Sequence, residues 1–321
     1  MLNTAFLCRT IAWPTMVFAL LLGAASCIEF EHQEAVYSYD RDTDTLRIFQ
    51  VYRGIFGASN DTLTDQQIQQ LTSVMEGGRT FFFANWLFEI NLPSIREALG
   101  REPRQDTAVE LAWRRVGSSL LDSTTIENGP FFRDREGRLS AWQKVEIRNF
   151  SRLLETVNAA LNAAVLDDSP PESPYVDLAK ARTMARDNHT WIEMQGNMFQ
   201  INLPLSRAAM MKIRRERRRE FEEILAADIA AEEASWKLRE VFAWLDNPFW
   251  IHPAKDDDIT ILQVGMTEPE PVAVRLQCAR GYRDNAAAWL LEQGHPIPDE
   301  PPPDLERIAA DFLQPRNRQS D

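Results

Sequence analysis

Four histidines (His32, His189, His252 and His295) stand far apart, without the close spacing from which a zinc site draws its ligands. No glycine-rich phosphate loop, nucleophile elbow or paired-cysteine motif accompanies them. Asp187 and His189 have the residue types of an acid–base couple, but nothing nearby supplies a third member to orient them. Asp40, Asp42 and Asp44 begin like a calcium loop. Thr45 then occupies the position that needs Gly and Val51 the position that needs Glu, so a polar hairpin turn is expected. Asp256, Asp257 and Asp258 read as a solvated turn before a strand, because a linear run does not by itself converge on a cation. No metal site, no cofactor and no catalytic residue is assigned.

The polar residues with the strongest claim to a site are Glu89, Asn91, Gln200 and Asn202, because they lie on a repeated segment. Phe88-Glu89-Ile90-Asn91-Leu92-Pro93 recurs as Phe199-Gln200-Ile201-Asn202-Leu203-Pro204, with Arg96 matching Arg207 and Ala98 matching Ala209. A second echo places an aliphatic residue four before a glutamine: Leu46 and Gln50, Leu139 and Gln143, Ile259 and Gln263. Together these imply a hairpin–helix–strand–helix unit present twice, with a third partial copy. Polar groups of the two copies would meet near a pseudo-twofold axis. The plainer reading is that Asn91 and Asn202 cap the helices that begin at Pro93 and Pro204.

The elements that must position these residues follow from periodicity. Strands are expected at 35–39 and 46–52, 81–92, 191–203, 259–264 and 272–278, with a second hairpin over 124–147 turning at Asp134–Arg138. Thr64 and Gln67 form a capping box that opens a helix to about Met75, stopped by Gly77-Gly78. Further helices are expected at 107–121, 150–165, up to about 186, as a long helical region over 205–245, at 283–291 and at 305–313. The fold class is α+β, a mixed or antiparallel sheet with helices on one side. Its divisions are 35–166 and 175–294 as repeat halves, 167–174 as a charged Pro-rich linker and 295–321 as a Pro-rich tail with a short helix.

The chain has 321 residues, 44% hydrophobic and 26% charged, which excludes a wholly disordered chain, a collagen-like fibre and a polytopic membrane protein. Its 35 basic against 48 acidic side chains repel a phosphate backbone, so nucleic-acid binding is not expected. The one basic cluster, Lys212 to Arg219, interleaves with glutamates and reads as a charged helix face. Of three cysteines, Cys278 ends a strand and reads as a buried thiol, leaving no disulfide framework.

Residues 1–26 have Arg9, an apolar stretch from Ile11 to Leu22, then Ala24-Ala25-Ser26 before Cys27. This is signal-peptide architecture. The run Leu22-Gly23-Ala24-Ala25-Ser26-Cys27 resembles the lipobox of bacterial lipoproteins, with Ala24 where Leu is usual. The resemblance implies cleavage after Ser26, diacylglyceryl transfer to the Cys27 thiol and acylation of the new amino group. An ordinary secretory signal cleaved at the same bond and a retained transmembrane helix are the competing readings. Pro14 and the weakly apolar Gly23–Ser26 argue against the helix.

With strands starting at Ala35, residues 27–34 form a lipidated tether reaching about 25 Å. The expected protein is therefore a membrane-anchored, extracytoplasmic protein of the bacterial envelope. The resemblance favours the outer over the inner membrane, because Ile28 stands where an inner-membrane retention Asp would be. A non-enzymatic binding or scaffolding role, with an envelope protein as partner, is expected. An envelope hydrolase with its site between the repeat copies is the alternative.

Overall fold

The computed structural model describes residues 28–58, 61–82, 88–102, 107–167, 178–204, scattered positions between 206 and 219, 252–253, 260–266, 270–302 and 304–314. Strands and helices are numbered in chain order. Strands β1 (Ile28–Asp40) and β2 (Thr45–Gly57) are 13 residues each and pair antiparallel from Ile28↔Gly57 to Asp40↔Thr45. At their turn the Asp40 carboxylate accepts hydrogen bonds from the Asp42 N–H (3.0 Å) and the Thr43 hydroxyl (2.7 Å). That is how a short acidic side chain replaces a ladder bond in a turn.

Asp44 has a second task. Its carboxylate accepts from the N–H of Ser151 (2.9 Å) and the Ser151 hydroxyl (2.7 Å), and its carbonyl accepts from the N–H of Phe150. It thereby caps helix α4 (Phe150–Leu166), whose own preceding residue, Asn149, sits at φ 50° and makes no side-chain cap. These aspartates are committed to a turn and a cap, as the residue mismatches with a calcium loop imply.

Strands β5 (Thr124–Asn128), β6 (Phe132–Arg133), β7 (Leu139–Arg148) and β12 (Val272–Gln277) complete a main sheet in the order β12-β1-β2-β7-β5, with β6 also on β7. A second sheet has the order β10-β11-β9-β8, where β8 is Ile192–Gln195, β9 Asn197–Leu203, β10 His252–Pro253 and β11 Thr260–Met266. Strands β3 (Arg79–Phe82) and β4 (Phe88–Asn91) form a hairpin of their own. Every pairing among the described residues is antiparallel. The class is α+β.

The remaining helices are α1 (Asp65–Met75), α2 (Leu92–Gly100), α3 (Ala108–Ser123), α5 (Leu178–Arg186), α6 (Asn285–Glu292) and α7 (Leu305–Leu313). The capping box at Thr64 and Gln67 is complete, and Gly77 and Gly78 both take positive φ after α1. One face of the main sheet packs Leu46, Val145 and Ile147 against Val116 of α3 and Phe150 and Leu153 of α4. Further along the same side, Ile28, Tyr52 and Ile55 pack against Leu71 of α1 and Leu290 of α6. On the opposite face Phe49, Val51 and Trp142 lie under α7, which supplies Leu313. Each such side chain, fully buried, contributes about 1.5–3 kcal/mol.

The structure departs from the sequence reading in five places. Strand β1 begins at Ile28 rather than Ala35, so 28–34 is not a tether. Its alternation was masked by the polar residues Glu29, Glu31 and Gln33, of which Glu29 and Gln33 are buried. The segments 81–92 and 191–203 are not single strands: each belongs to a hairpin, β3–β4 and β8–β9, the latter turning at Gly196 with φ 62°. Helices cover both faces of the main sheet, because the tail helix α7 closes the side opposite α3 and α4. Strand β12, assigned to the second half, pairs with β1 of the first. Cys278 lies one residue past β12 and is only partly buried. The linker 168–174, most of 205–245 with its basic cluster, and Asp256–Asp258 lie outside the described residues.

The two repeated segments share a helix–hairpin–helix order and differ within it. Ile90 is buried, whereas Phe199, Ile201 and Leu203 are half-buried and Asn202 faces inward. Strand β9 has β11 as a second neighbour, while β4 pairs only with β3 among the described residues. The shared hexapeptide therefore takes two different packing environments.

Candidate functional site

Strand ends, turns and hairpins place the sequence-selected residues as follows. Glu89 lies on β4 opposite Phe81, and Arg79 of β3 reaches it with two nitrogens at 2.8 and 2.9 Å. The same guanidinium donates to the Ser73 hydroxyl of α1 at 2.6 Å and lies over the Phe81 ring. Asn91 is the N-cap of α2, accepting from the Ser94 N–H at 3.0 Å. Pro93 in the first turn fits because its missing N–H leaves nothing unpaired.

On the second hairpin, Gln200 donates to Glu193 (2.6 Å) and to Asn202 (3.2 Å). Asn202 donates to the Thr190 carbonyl at 2.9 Å. The expected cap is therefore corrected. Asn202 is turned inward to hold the 189–191 bend, and Ser206, accepting from the Ala209 N–H at 3.1 Å, takes the capping position instead. Polar groups of the two hairpins do not converge. What converges is apolar: Ile90, Leu92, Met194 and Phe199 border one cluster. Cys27 lies outside the described residues.

Two polar assemblies were missed by the sequence reading. The first is buried between the main sheet and the β3–β4 hairpin. Gln50 of β2 stands directly across from Gln143 of β7, and both are inaccessible to solvent. Gln33 donates to Gln50 and to the Phe81 carbonyl (2.7 Å); Gln50 donates to the Thr80 hydroxyl (2.8 Å). Gln143 donates to the Arg79 carbonyl (2.9 Å) and to Asn128 (2.7 Å). The Tyr52 hydroxyl sits among Thr80, the Phe81 backbone and Gln143 at 2.9–3.1 Å, its pKa pushed up to about 12 by burial. Buried amides of this kind are tolerable only when satisfied, and here they clamp the hairpin to the sheet. The glutamine echo was the available signal, since Gln50 and Gln143 are two of its members. Gln200 and Gln263 are likewise cross-strand partners in β9–β11.

The second assembly ties the 278–284 segment to β1 and to the Asp134–Arg138 turn. Arg138 pairs with Glu31 (2.9 Å), Asp134 (3.0 Å) and Glu136 (3.0 Å). Glu31 crosses over Gly54, where an added Cβ would lie 3.0 Å from its carboxylate; φ there is +67°. Both facts call for glycine. Arg133 grips Asp284 with two bonds of 2.9 and 3.1 Å, which, with the Tyr282 hydroxyl, outweighs burial and holds the Asp284 carboxyl below its usual range. Burial, then the nearby Arg138 and Arg275, lowers the His32 pKa. These carboxylates are neutralised by arginines, which suits clamps better than proton transfer.

His189 packs edge-on against Trp191, its ring centroid 4.7 Å away, with Nε2 buried and without a hydrogen-bond partner. An Asp187–His189 couple through that nitrogen is not formed. Among the described residues no group of three or more His, Cys, Asp or Glu is placed to hold a metal ion. No described helix is long and apolar enough to cross a membrane.

The end of the sheet that follows Cys27 is built tightly. The Ile28 N–H donates to Gln70 of α1 (2.8 Å), and Gly57 opposite it exchanges two 2.9 Å bonds with the Asn285 amide. Arg283 donates to the Ala58 carbonyl at 2.7 Å. No protein family, curated protein or solved structure matches this chain.

Proposed function

We propose that this is a lipid-anchored protein of the bacterial cell envelope, held through acylated Cys27, extracytoplasmic and with the outer membrane favoured, that serves as a binding or scaffolding body rather than an enzyme. The observation that carries the reading is the lipobox-type run ending at Cys27, next to a strand that starts at Ile28. A folded domain that begins one residue after the acceptor cysteine suits a processed amino terminus better than a continuing helix. Commitment of Glu89 and Gln200 to partners within their own hairpins, and of Asn202 to the bend before β8, supports a non-enzymatic role over a hydrolase assembled between them.

The test is metabolic labelling with a palmitate analogue in wild type and Cys27→Ser, followed by detergent phase partition. Label and detergent partition in the wild type, with both lost in the variant, is the expected result. Equal labelling of both forms refutes the anchor, and density-gradient fractionation then reads the membrane.

A further inference from the structure

We propose, resting on the lipid-anchor reading above, that the mature protein stands on end. The Ile28–Gly57 end of the main sheet meets the phospholipid headgroups, the Arg283 guanidinium contacts lipid phosphate, and the Asp40–Thr45 turn points away from the bilayer. The first argument is the absence of slack. Ile28 is buried, paired with Gly57 and hydrogen-bonded to Gln70, so the lipidated cysteine is joined directly to the first residue of the ordered sheet. One extended residue spans about 3.5 Å, much less than the width of a domain, and keeps this edge at the surface.

The second argument is the composition of that edge. Arg283 is exposed, and its backbone position is set by the Asn285–Gly57 bonds two residues on. One of its nitrogens is fixed on the Ala58 carbonyl, next to the strand end itself. A guanidinium has five donors, so a positioned arginine of this kind retains capacity for a phosphate oxygen. Asp284, its neighbour, is already neutralised by Arg133. Asp61 and Asp65, both exposed, follow within seven residues of Ala58 in the chain, so the contact comes from one placed guanidinium rather than from a basic run.

The third argument is polarity along the long axis. Strands of 13 residues rise about 3.3 Å per residue, which puts the opposite turn about 40 Å from the anchor. That turn carries Asp40, Asp42 and Asp44 against one Arg41, with Arg41 and Asp42 exposed. On an anionic leaflet, lying flat would bring these carboxylates within a screening length of like charge, about 8 Å at physiological salt; standing upright keeps them clear.

The experiment uses the acylated full-length mature protein in vesicles of phosphatidylcholine and phosphatidylglycerol, in a Cys278→Ser background. Single cysteines replace Ala58 or Arg280 near the anchor, or Asp42 at the far turn, and carry an environment-sensitive fluorophore. Lipids with a headgroup nitroxide serve as quencher. Several-fold stronger quenching at Ala58→Cys and Arg280→Cys than at Asp42→Cys is expected. Arg283→Gln should narrow that difference in anionic vesicles while Arg283→Lys largely restores it. Equal quenching near and far, or stronger quenching at Asp42→Cys, on protein that floats with the vesicles overturns the orientation and leaves the anchor standing. An unchanged difference in Arg283→Gln removes the phosphate contact. Protein that does not float refutes the anchor, and the orientation with it.

Discussion

Asn197 offers the sharpest test of how the two larger sheets are joined. It is 1% exposed, at the start of β9. Its carbonyl oxygen accepts from the Tyr39 N–H of β1 at 2.6 Å, and its amide donates to the Glu270 carbonyl at 2.7 Å. Its own backbone carbonyl accepts from the Tyr37 hydroxyl at 2.8 Å. Strand β12 pairs with β1 only as far as Tyr37, so the Tyr39 N–H lies past the end of that ladder. Asn197→Ala keeps the Tyr37 bond and strips side-chain partners from two backbone groups, the half-buried Tyr39 N–H and the carbonyl of the exposed Glu270 ahead of β12. Water can replace the partner of the exposed Glu270 carbonyl but reaches the Tyr39 N–H less freely, so the loss is about 1–3 kcal/mol. Asn197→Asp retains the acceptor for Tyr39 and sets a carboxylate against the Glu270 carbonyl, so it should also destabilise. Urea unfolding of residues 27–321 carrying Cys27→Ser, followed by tryptophan fluorescence, reads the change in midpoint at constant slope. A loss below about 0.5 kcal/mol for Asn197→Ala, the size of an ordinary surface substitution, would refute this account of the junction.

The two copies of the hexapeptide should respond unequally: Ile90→Ala, at a buried site, should cost about 2–5 kcal/mol, and Ile201→Ala, at a half-buried one, about 1–2 kcal/mol; equal losses would contradict the packing described. Gly129→Ala would set a methyl 1.9 Å from the Trp142 ring, so displacement of that ring from its stack on Phe49 should cost about 3 kcal/mol or more and show in near-ultraviolet circular dichroism. For Asp40, burial alone would raise the carboxyl pKa, but hydrogen bonds from Thr43 and Asp42 and the charge of Arg47 outweigh it and the net shift is downward. Its stabilisation is therefore complete above the unfolded value of about 3.9 and is lost as pH falls through the folded one, so Asp40→Asn should flatten the acid limb of stability below pH ~4. His32 and His189 are both lowered by burial, which makes stability fall with acidification below about 6.5; His32→Gln should reduce that slope in unfolding measured from pH 7 to 5.

Local signals were written plainly in the sequence. The Thr64–Gln67 box, the Gly77-Gly78 stop, the Asp40 and Asp134 turns and the Asn91 cap all depend on groups within a few residues of each other, so residue type and spacing suffice to find them. The α+β class follows from the same periodicities. What lay beyond reach was decided by contacts far apart in the chain. Polar residues hid the start of β1: Gln33 is buried because Gln50 and Phe81 satisfy it, and a glutamine's partners cannot be read from its neighbours. The hexapeptide looked like one motif used twice, yet Asn91 caps a helix while Asn202 pins a bend, because the second strand runs beside the Thr190 and Trp191 carbonyls, which take the Asn202 side-chain and backbone N–H groups. Asp44 appeared to be one of three turn aspartates until α4 arrived from more than a hundred residues away to use it as a cap. The sequence by itself determined the local hydrogen-bonding conformations; which polar side chains are buried, and which strands adjoin, was decided by tertiary packing, since an amide or carboxylate can leave water only where another part of the chain supplies its partner.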